Sequence, residues 1–249
     1  KGISKSYYGT QVLKDIDLKV QPGEIHCLVG ENGAGKSTLM NILFGMSVIH
    51  QTGGYEGAVL IAGRPVDFAS PQAAIEAGIG MVHQEFMLLP GFTVTENIKL
   101  NREITKPNPV SRVLGSRLET LHRGKMKTDA RRALDRLGMS IEEWMPVSGL
   151  PVGHMQFVEI AREIDKEKLQ LLVLDEPTAV LTESEAEQFL DVVKRLAQSG
   201  ISILFITHRL DEVMIVADTI TILKDGELVE SKPREGYTIA QIAELMVGR

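Results

Sequence analysis

The chain of 249 residues is short of several things, and each shortage excludes something. It has one cysteine, Cys27, so no internal disulfide can staple it. Cys27 lies in an apolar run, where a thiol behaves as a small buried hydrophobe. No apolar run approaches the ~20 residues that a helix needs to cross a bilayer, so any membrane role has to come through a partner. Positive charge is not in excess: 27 Lys and Arg face 33 Asp and Glu, a net charge of −6. That balance argues against a nucleic-acid binder held by bulk electrostatics. Internal repeats and low-complexity tracts are missing. No signal-peptide pattern opens the chain, which starts at Lys1 in strand-like sequence and reads as a stretch of something longer. What is left, 43% hydrophobic and 24% charged residues, is ordinary for one large α/β domain or one domain with a small insertion.

What is present begins with Gly30-Glu31-Asn32-Gly33-Ala34-Gly35-Lys36-Ser37-Thr38. It reads G-x-x-x-x-G-K-S, the phosphate-binding loop, after the apolar run Ile25–Val29 and before the helix-like run Thr38–Gly45. Glycines let backbone N–H groups turn inward around a polyphosphate, and the helix N-terminus adds its positive dipole. Lys36 can put a point charge on β- and γ-phosphates, and Ser37 can offer its hydroxyl to Mg²⁺.

Around this loop the chain alternates strand and helix signals. Ile16, Leu18 and Val20 alternate with polar residues before a Gln21-Pro22-Gly23-Glu24 turn. Before them, Lys5-Ser6-Tyr7-Tyr8-Gly9 offers two tyrosines, for packing or as a platform for a nucleotide base. Strands are expected over Ala58–Ala62 and Val66–Phe68 with Gly63-Arg64-Pro65 as the turn. Ser70-Pro71 opens a helix ending at Gly78, and Ile79–His83 is a short buried strand. Thr93 to Glu96 and Thr182 to Glu185 are capping-box patterns. Residues 99–136 carry eleven Lys and Arg against four Asp and Glu. They read either as a solvated helical insertion or as a surface facing anionic lipid headgroups or an acidic partner. A helix is expected over Lys127–Leu137, another following Leu150–His154 and running to about Lys166, and a strand over Gln170–Leu174. A helix stopping at Gly200, a strand over Ile201–Ile206, an Asp225-Gly226 hairpin and a helix after Thr238 complete the chain. The alternation implies a parallel, doubly wound sheet.

Ligands of such sheets sit at the carboxyl ends of the strands. Three polar points fall there besides the loop: Gln84, Asp175-Glu176 and His208. Asp175 is suited to hold Mg²⁺ through water, and Glu176 to orient or deprotonate an attacking water. Gln84 can bridge metal and water, and His208 can donate to a γ-phosphate as charge builds.

This set resembles the nucleotide-binding domain of ATP-binding-cassette transporters over essentially the whole chain. Gly30–Thr38 resembles the Walker A loop, Leu171–Glu176 Walker B with its catalytic glutamate, Gln84 the Q-loop and His208 the switch histidine. Lys5-Ser6-Tyr7 resembles the adenine-stacking loop, with Tyr7 the better-aligned ring. Leu150, Pro151, Val152, Gly153 and His154 occupy the place of the L-S-G-G-Q signature, continued by Gln156-Phe157-Val158-Glu159-Ile160-Ala161-Arg162. The resemblance implies an α/β P-loop NTPase core with a mostly parallel sheet, an N-terminal antiparallel β subdomain and an inserted α-helical subdomain. The core would cover about residues 1–84 and 167–249, the insertion about 85–166. It implies ATP and Mg²⁺ as ligands, with Glu31, Asn32, Ala34 and Thr38 among the cradle residues and Ser37, Gln84 and Asp175 toward the metal.

The wording Gly80-Met81-Val82-His83-Gln84-Glu85-Phe86 and Asp175-Glu176-Pro177-Thr178-Ala179-Val180-Leu181-Thr182 is similar to importers of simple sugars and the related nucleoside importers. There two cassettes are fused, and the first tends to end in a phrase like Met246-Val247-Gly248-Arg249. The implied partners are a second cassette, membrane permease subunits and, indirectly, an extracytoplasmic solute-binding protein. The implied place is the cytoplasmic membrane face, without nucleic acid. Exporter motors, a soluble cassette ATPase acting on DNA or ribosomes and a catalytically dead regulatory cassette are the competing readings. The intact Lys36, Asp175, Glu176 and His208 speak against the dead one. Two positions depart from the pattern: Pro151 replaces the signature serine, and Thr182 replaces an aspartate. The resemblance therefore implies one competent ATP site, built on Gly30–Thr38, and one poor site borrowing Leu150–His154.

Overall fold

Ile25–Val29 is buried along its whole length, as a strand must be when both its faces are covered. In the computed structural model, which describes residues 1–109 and 111–247, the chain divides into two compact units. The first holds Lys1–Val82, Lys168–Pro177 and the chain from Val193 on; the second holds His83–Glu167 and Thr178–Val192.

The first stretch supplies strands β1 (Ile3–Tyr7), β2 (Thr10–Ile16) and β3 (Ile25–Val29), then helices α1 (Lys36–Leu43) and α2 (Ser47–Gln51). Next come β4 (Val59–Ile61), β5 (Arg64–Val66), α3 (Pro71–Glu76) and β6 (Ile79–Val82). The chain continues with α4 (Val94–Ile98), β7 (Thr105–Lys106), α5 (Ser111–Leu114), β8 (Thr120–Leu121), α6 (Arg123–Leu137) and α7 (Val152–Ile164). It ends with β9 (Leu171–Asp175), α8 (Glu183–Gln198), β10 (Ser202–Ile206), α9 (Leu210–Val216), β11 (Thr219–Lys224), β12 (Glu227–Pro233) and α10 (Ile239–Val247).

Among the described residues, six strands of the first unit form one sheet in the order β12-β11-β3-β10-β9-β6. All neighbours run parallel except β12, which turns back on β11. This is an α/β fold of the P-loop NTPase kind, with the hairpins β1–β2 and β4–β5 as antiparallel additions. Register matters more than order. Asp175 lies opposite Ile206, Ile206 opposite Leu28, and Val29 opposite Ile222. The carboxyl ends of β3, β9 and β10 therefore finish at one level.

Several expected boundaries move for local reasons. Residues 5–7 belong to β1, and the turn is Tyr8-Gly9, where both φ angles are positive. Leu18 and Val20 lie beyond the end of β2, yet pack against the core. Arg64 and Pro65 are in β5, and the turn is Ala62-Gly63, with φ of 48° and 78°. Pro65 is tolerated because that strand pairs on one side. Helix α1 starts at Lys36, two residues early, and α6 at Arg123, four early. Helices α2, α5 and α9 and the pair β7–β8 carried too few residues to give a periodic signal. Gly248 and Arg249, the end of the expected closing phrase, lie outside the described residues.

In the second unit the capping box at Thr93 is complete: Thr93 Oγ1 accepts from Glu96 N, and Glu96 accepts from Thr93 N. The Glu96 carboxyl is held below its usual range chiefly by that backbone bond. The basic stretch is partly neutralised from within. Buried Lys99 pairs with Asp129 and Asp165, Arg102 with Asp165, and Lys127 and Arg131 with Glu143. Lys106, Arg112, Arg117 and Lys125 stay exposed.

One buried cation anchors the amino-terminal hairpin. Lys5 is 2% exposed, and its Nζ donates to the carbonyls of Ile49, Thr52 and Gly54 and to Thr52 Oγ1. These acceptors close the end of α2. Burial holds the Lys5 ammonium below its ordinary range. Replacing Lys5 with methionine keeps the stem but strands the carbonyls. We expect a loss of about 1–3 kcal/mol in denaturant unfolding, whereas a wild-type midpoint would contradict this anchoring.

Candidate functional site

The loop after β3 owes its shape to crowding. A Cβ on Gly30 would lie 2.3 Å from the Leu223 carbonyl oxygen, so only glycine lets the chain leave β3 beside β11. Gly33 and Gly35 then take φ of 87° and 103°, and α1 opens at Gly35 with no side chain capping its first amides. Those amides are the donors that a phosphate can take. Lys36 reaches back across the loop, donating to Gly30 O at 2.7 Å and Glu31 O at 3.1 Å. Desolvation lowers its pKa, while the carboxylates of Glu176 and Asp175 oppose that shift. The field of both acids thus reaches the loop lysine, and strand and loop form one electrostatic site.

Glu176 is placed by an uncommon backbone. Its φ is 46°, a left-handed conformation that costs a non-glycine residue about 1–2 kcal/mol. The Glu176 N–H donates to Ile206 O at 2.9 Å, which holds the turn against the end of β10. The carboxylate then meets His208: Nδ1 to Oε1 is 3.1 Å, with the imidazole 58% exposed and Glu176 18%. A carboxylate can only accept, so Nδ1 carries the hydrogen in this pair. In the neutral ring Nε2 is then an acceptor. His208 can give a hydrogen bond to an anion through Nε2 only as imidazolium, or through Nδ1 after leaving Glu176.

The remaining expected residues are less concentrated. Tyr7 is half-buried at the end of β1 and packs against the core, with Lys5 Nζ 4.7 Å from its ring centre. Tyr8, at the hairpin tip, is 96% exposed. Gln84 is exposed and belongs to the second unit, two residues beyond β6. In that same unit Leu150 is buried and Pro151 is the N-cap of α7, which begins at Val152; proline offers no side-chain cap there.

Gly153, in the first turn of α7, has a local constraint that the sequence did not announce. A Cβ there would fall 2.2 Å from Glu185 Oε1. Glu185 cannot retreat freely, because its Oε2 accepts from Thr182 N at 2.9 Å and Thr182 Oγ1 at 2.8 Å, the capping box of α8. These bonds hold the Glu185 carboxyl below its usual range, and His154 adds to the shift. Thr182 therefore serves as a helix cap, a role that also explains the glutamate three residues on. Substituting Gly153 with alanine should push Glu185 out of the box and cost about 0.5–2 kcal/mol. Pairing it with Glu185→Ala should recover part of the loss; an additive double mutant in thermal unfolding would refute the contact.

Comparisons with known proteins show the family and the fold. The sequence profile of a family described as "ABC transporter" matches residues 13–179. The ribose import ATP-binding protein RbsA of Chelativorans sp. (strain BNC1) is 41% identical over 248 residues, covering 100% of this chain and 45% of the relative. The xylose import ATP-binding protein XylG of Thermoanaerobacter pseudethanolicus (strain ATCC 33223 / 39E) is 39% identical over 249 residues, covering 100% and 46%. The chain spans about half the length of these curated relatives. Among solved structures, a nucleotide-free ATP-binding cassette from an ABC transporter superposes with a TM-score of 0.81 at 23% identity, covering 100% of this chain and 98% of the other. The ADP conformation of another such cassette gives 0.77 at 25% identity, covering 99% and 92%. With its phosphate loop, its acid–histidine pair and two fifths identity along its whole length, this chain belongs to the ABC transporter family.

Proposed function

We infer that this cassette is the ATP-driven motor of an importer for a simple sugar. The observation that carries the reading is the convergence of Lys36, Asp175, Glu176 and His208 at one end of the parallel sheet, in a chain so similar to ribose and xylose import ATP-binding proteins. A nucleoside importer is the neighbouring alternative. The first unit, with Gly30–Thr38 as cradle, is read as the nucleotide-binding core, and most of the second as the inserted helical subdomain.

Each residue has a task in this reading. Tyr7 supplies a ring for adenine. Loop amides and Lys36 take the β- and γ-phosphates, with Lys36 exchanging two carbonyl partners for phosphate oxygens. Glu176 orients the attacking water and accepts its proton, and His208 donates to the γ-phosphate once its proton is free for that use. Gln84 keeps the role that the resemblance gives it, bridging metal and water. The donors available to a metal are oxygens, the Ser37 hydroxyl and the Asp175 carboxylate, with the Gln84 amide oxygen. Among the described residues no group of three or more His, Cys, Asp or Glu could hold an ion alone. So sparse and hard a set fits Mg²⁺, which keeps waters and takes phosphate oxygens. When bound, Mg²⁺ supplies charge neutralisation across the phosphates.

The relatives are about twice as long as this chain, which leaves room for a second cassette in the full protein. Partners beyond it are the permease subunits and an external solute-binding protein, with the cassette on the cytoplasmic membrane face. No helix among the described residues is long and apolar enough to cross a membrane. The site that borrows Leu150–His154 is the poor one of the pair, since Pro151 brings neither hydroxyl nor N–H to a phosphate.

Glu176→Gln in the full-length protein with its permease should lower ATP turnover by about 10²–10⁴-fold while Mg·ATP affinity stays within a few-fold. Turnover near wild type would remove Glu176 from its role. The cassette alone should bind Mg·ATP and hydrolyse it slowly, and fast turnover at low protein concentration would contradict a shared site.

A further inference from the structure

Helix α7 carries two polar groups that a buried helix face ordinarily avoids. Glu159 is 0% exposed, and Gln156, one turn earlier, is 2% exposed. Neither is fully satisfied: Glu159 Oε2 and Gln156 Nε2 are buried without a hydrogen-bond partner. A carboxylate is kept in such a place only if something valuable holds to its other oxygen. That partner is a backbone amide. Glu159 Oε1 accepts from Met87 N at 2.5 Å. One turn along α7, Arg162 Nη1 donates to Met87 O at 3.0 Å, and Arg162 Nη2 lies 3.5 Å from Glu159 Oε1. Both polar groups of one residue, three positions beyond Gln84, are thus gripped by adjacent turns of the helix that opens at Pro151.

The neighbouring backbone is pinned as well, from α4. Asn97 is 0% exposed; its Oδ1 accepts from Leu89 N at 2.7 Å, and its Nδ2 donates to the carbonyls of Leu89, Phe92 and Thr93. The side chains of Met87, Leu89 and Phe92 remain substantially exposed. Leu88, between them, is buried and supplies one apolar anchor. The rest of the segment is held by buried polar side chains that read its main chain, which fixes position without regard to the residues displayed there.

We propose that Glu159 and Arg162 are positioning residues, a two-point clamp on the Met87 peptide units that makes the segment after Gln84 and the start of α7 at Pro151–His154 move as one body. All these contacts lie inside the second unit. The consequence for ATP turnover rests on the roles read above for Gln84 and the signature. Through the clamp a shift at residues 84–87 reaches the signature turn along α7, which has no proline or glycine between Gly153 and Ile164 to absorb it. The unpaired Oε2 and Nε2 leave the helix face able to take up new partners as that shift occurs.

The test uses the full-length protein assembled with its permease in proteoliposomes. Glu159→Gln keeps an acceptor for Met87 N–H; Glu159→Leu removes it; Arg162→Gln loosens the carbonyl side. Hydrogen exchange over residues 83–92 should rise about tenfold in Glu159→Leu and stay near wild type in Glu159→Gln. The permease-stimulated kcat of Glu159→Leu should fall about tenfold with KM for Mg·ATP unchanged, and Glu159→Gln should rescue it. Unchanged exchange in Glu159→Leu, an equal fall in both Glu159 variants, or a loss expressed in KM would overturn the clamp. Where Glu159→Leu does not fold, wild-type exchange and kcat in Arg162→Gln would overturn it equally. If the wild-type assembly shows no stimulated turnover, the transport reading fails and the exchange measurement alone judges the clamp.

Discussion

The first unit depends on how β3 is held. It runs between β10 and β11 and parallel to both, so its residues are covered on each edge as well as on each face. A strand so enclosed can only be left at its end, and the exit at Gly30 is tight enough to forbid a side chain against the Leu223 carbonyl. From that pinch follows the rest of the site. The loop leaves the carboxyl end of an interior strand, and α1 opens at Gly35 with no side chain capping its first amides. The strand ends bearing Asp175 and His208 finish level with it because the parallel register leaves them no other height. The chemistry is a product of register first and of residue type second.

The second unit is organised by carboxylates and amides that hold main chain. Glu96 and Glu185 close capping boxes, Asn97 reads three carbonyls, Asp165 gathers Lys99 and Arg102, and Glu159 takes a backbone amide. Short helices such as α4 gain little from propensity alone, so local side-chain to backbone bonds define their ends. The basic character of residues 99–136 also changes meaning. Its innermost cations, Lys99 above all, belong to this internal framework, while others such as Lys106, Arg117, Lys125 and Arg132 face outward.

Much of this was legible in the sequence. Apolar runs ending in Gly30, Asp175 and Thr207 announced parallel strands with polar residues at their ends, and Thr93 and Thr182 announced their helices through the glutamate three positions on. What escaped notice was any side chain whose partner is main chain distant in sequence. Lys5 reads as a surface lysine until α2 lays three carbonyls around it. Glu159 stands among Val158, Ile160 and Ala161, and an acid inside such a run was a visible signal. Its meaning needed the position of Met87, 72 residues away. The tyrosine pair was ambiguous for a different reason: only the turn at Tyr8 decides which ring packs inward.

Glu185 and Gly153 carry a consequence that goes beyond fit. The opening turn of α7 is the positive end of a helix dipole, and an ionised carboxylate is already fixed against it by the cap of α8. That carboxylate offsets the pull of the helix end on an anion before any ligand arrives. A cassette built in this way can keep the shape of α7, and its mechanical use, while losing its attraction for an incoming anion. Shape and affinity at that helix end are separable, and a change in one leaves the other intact.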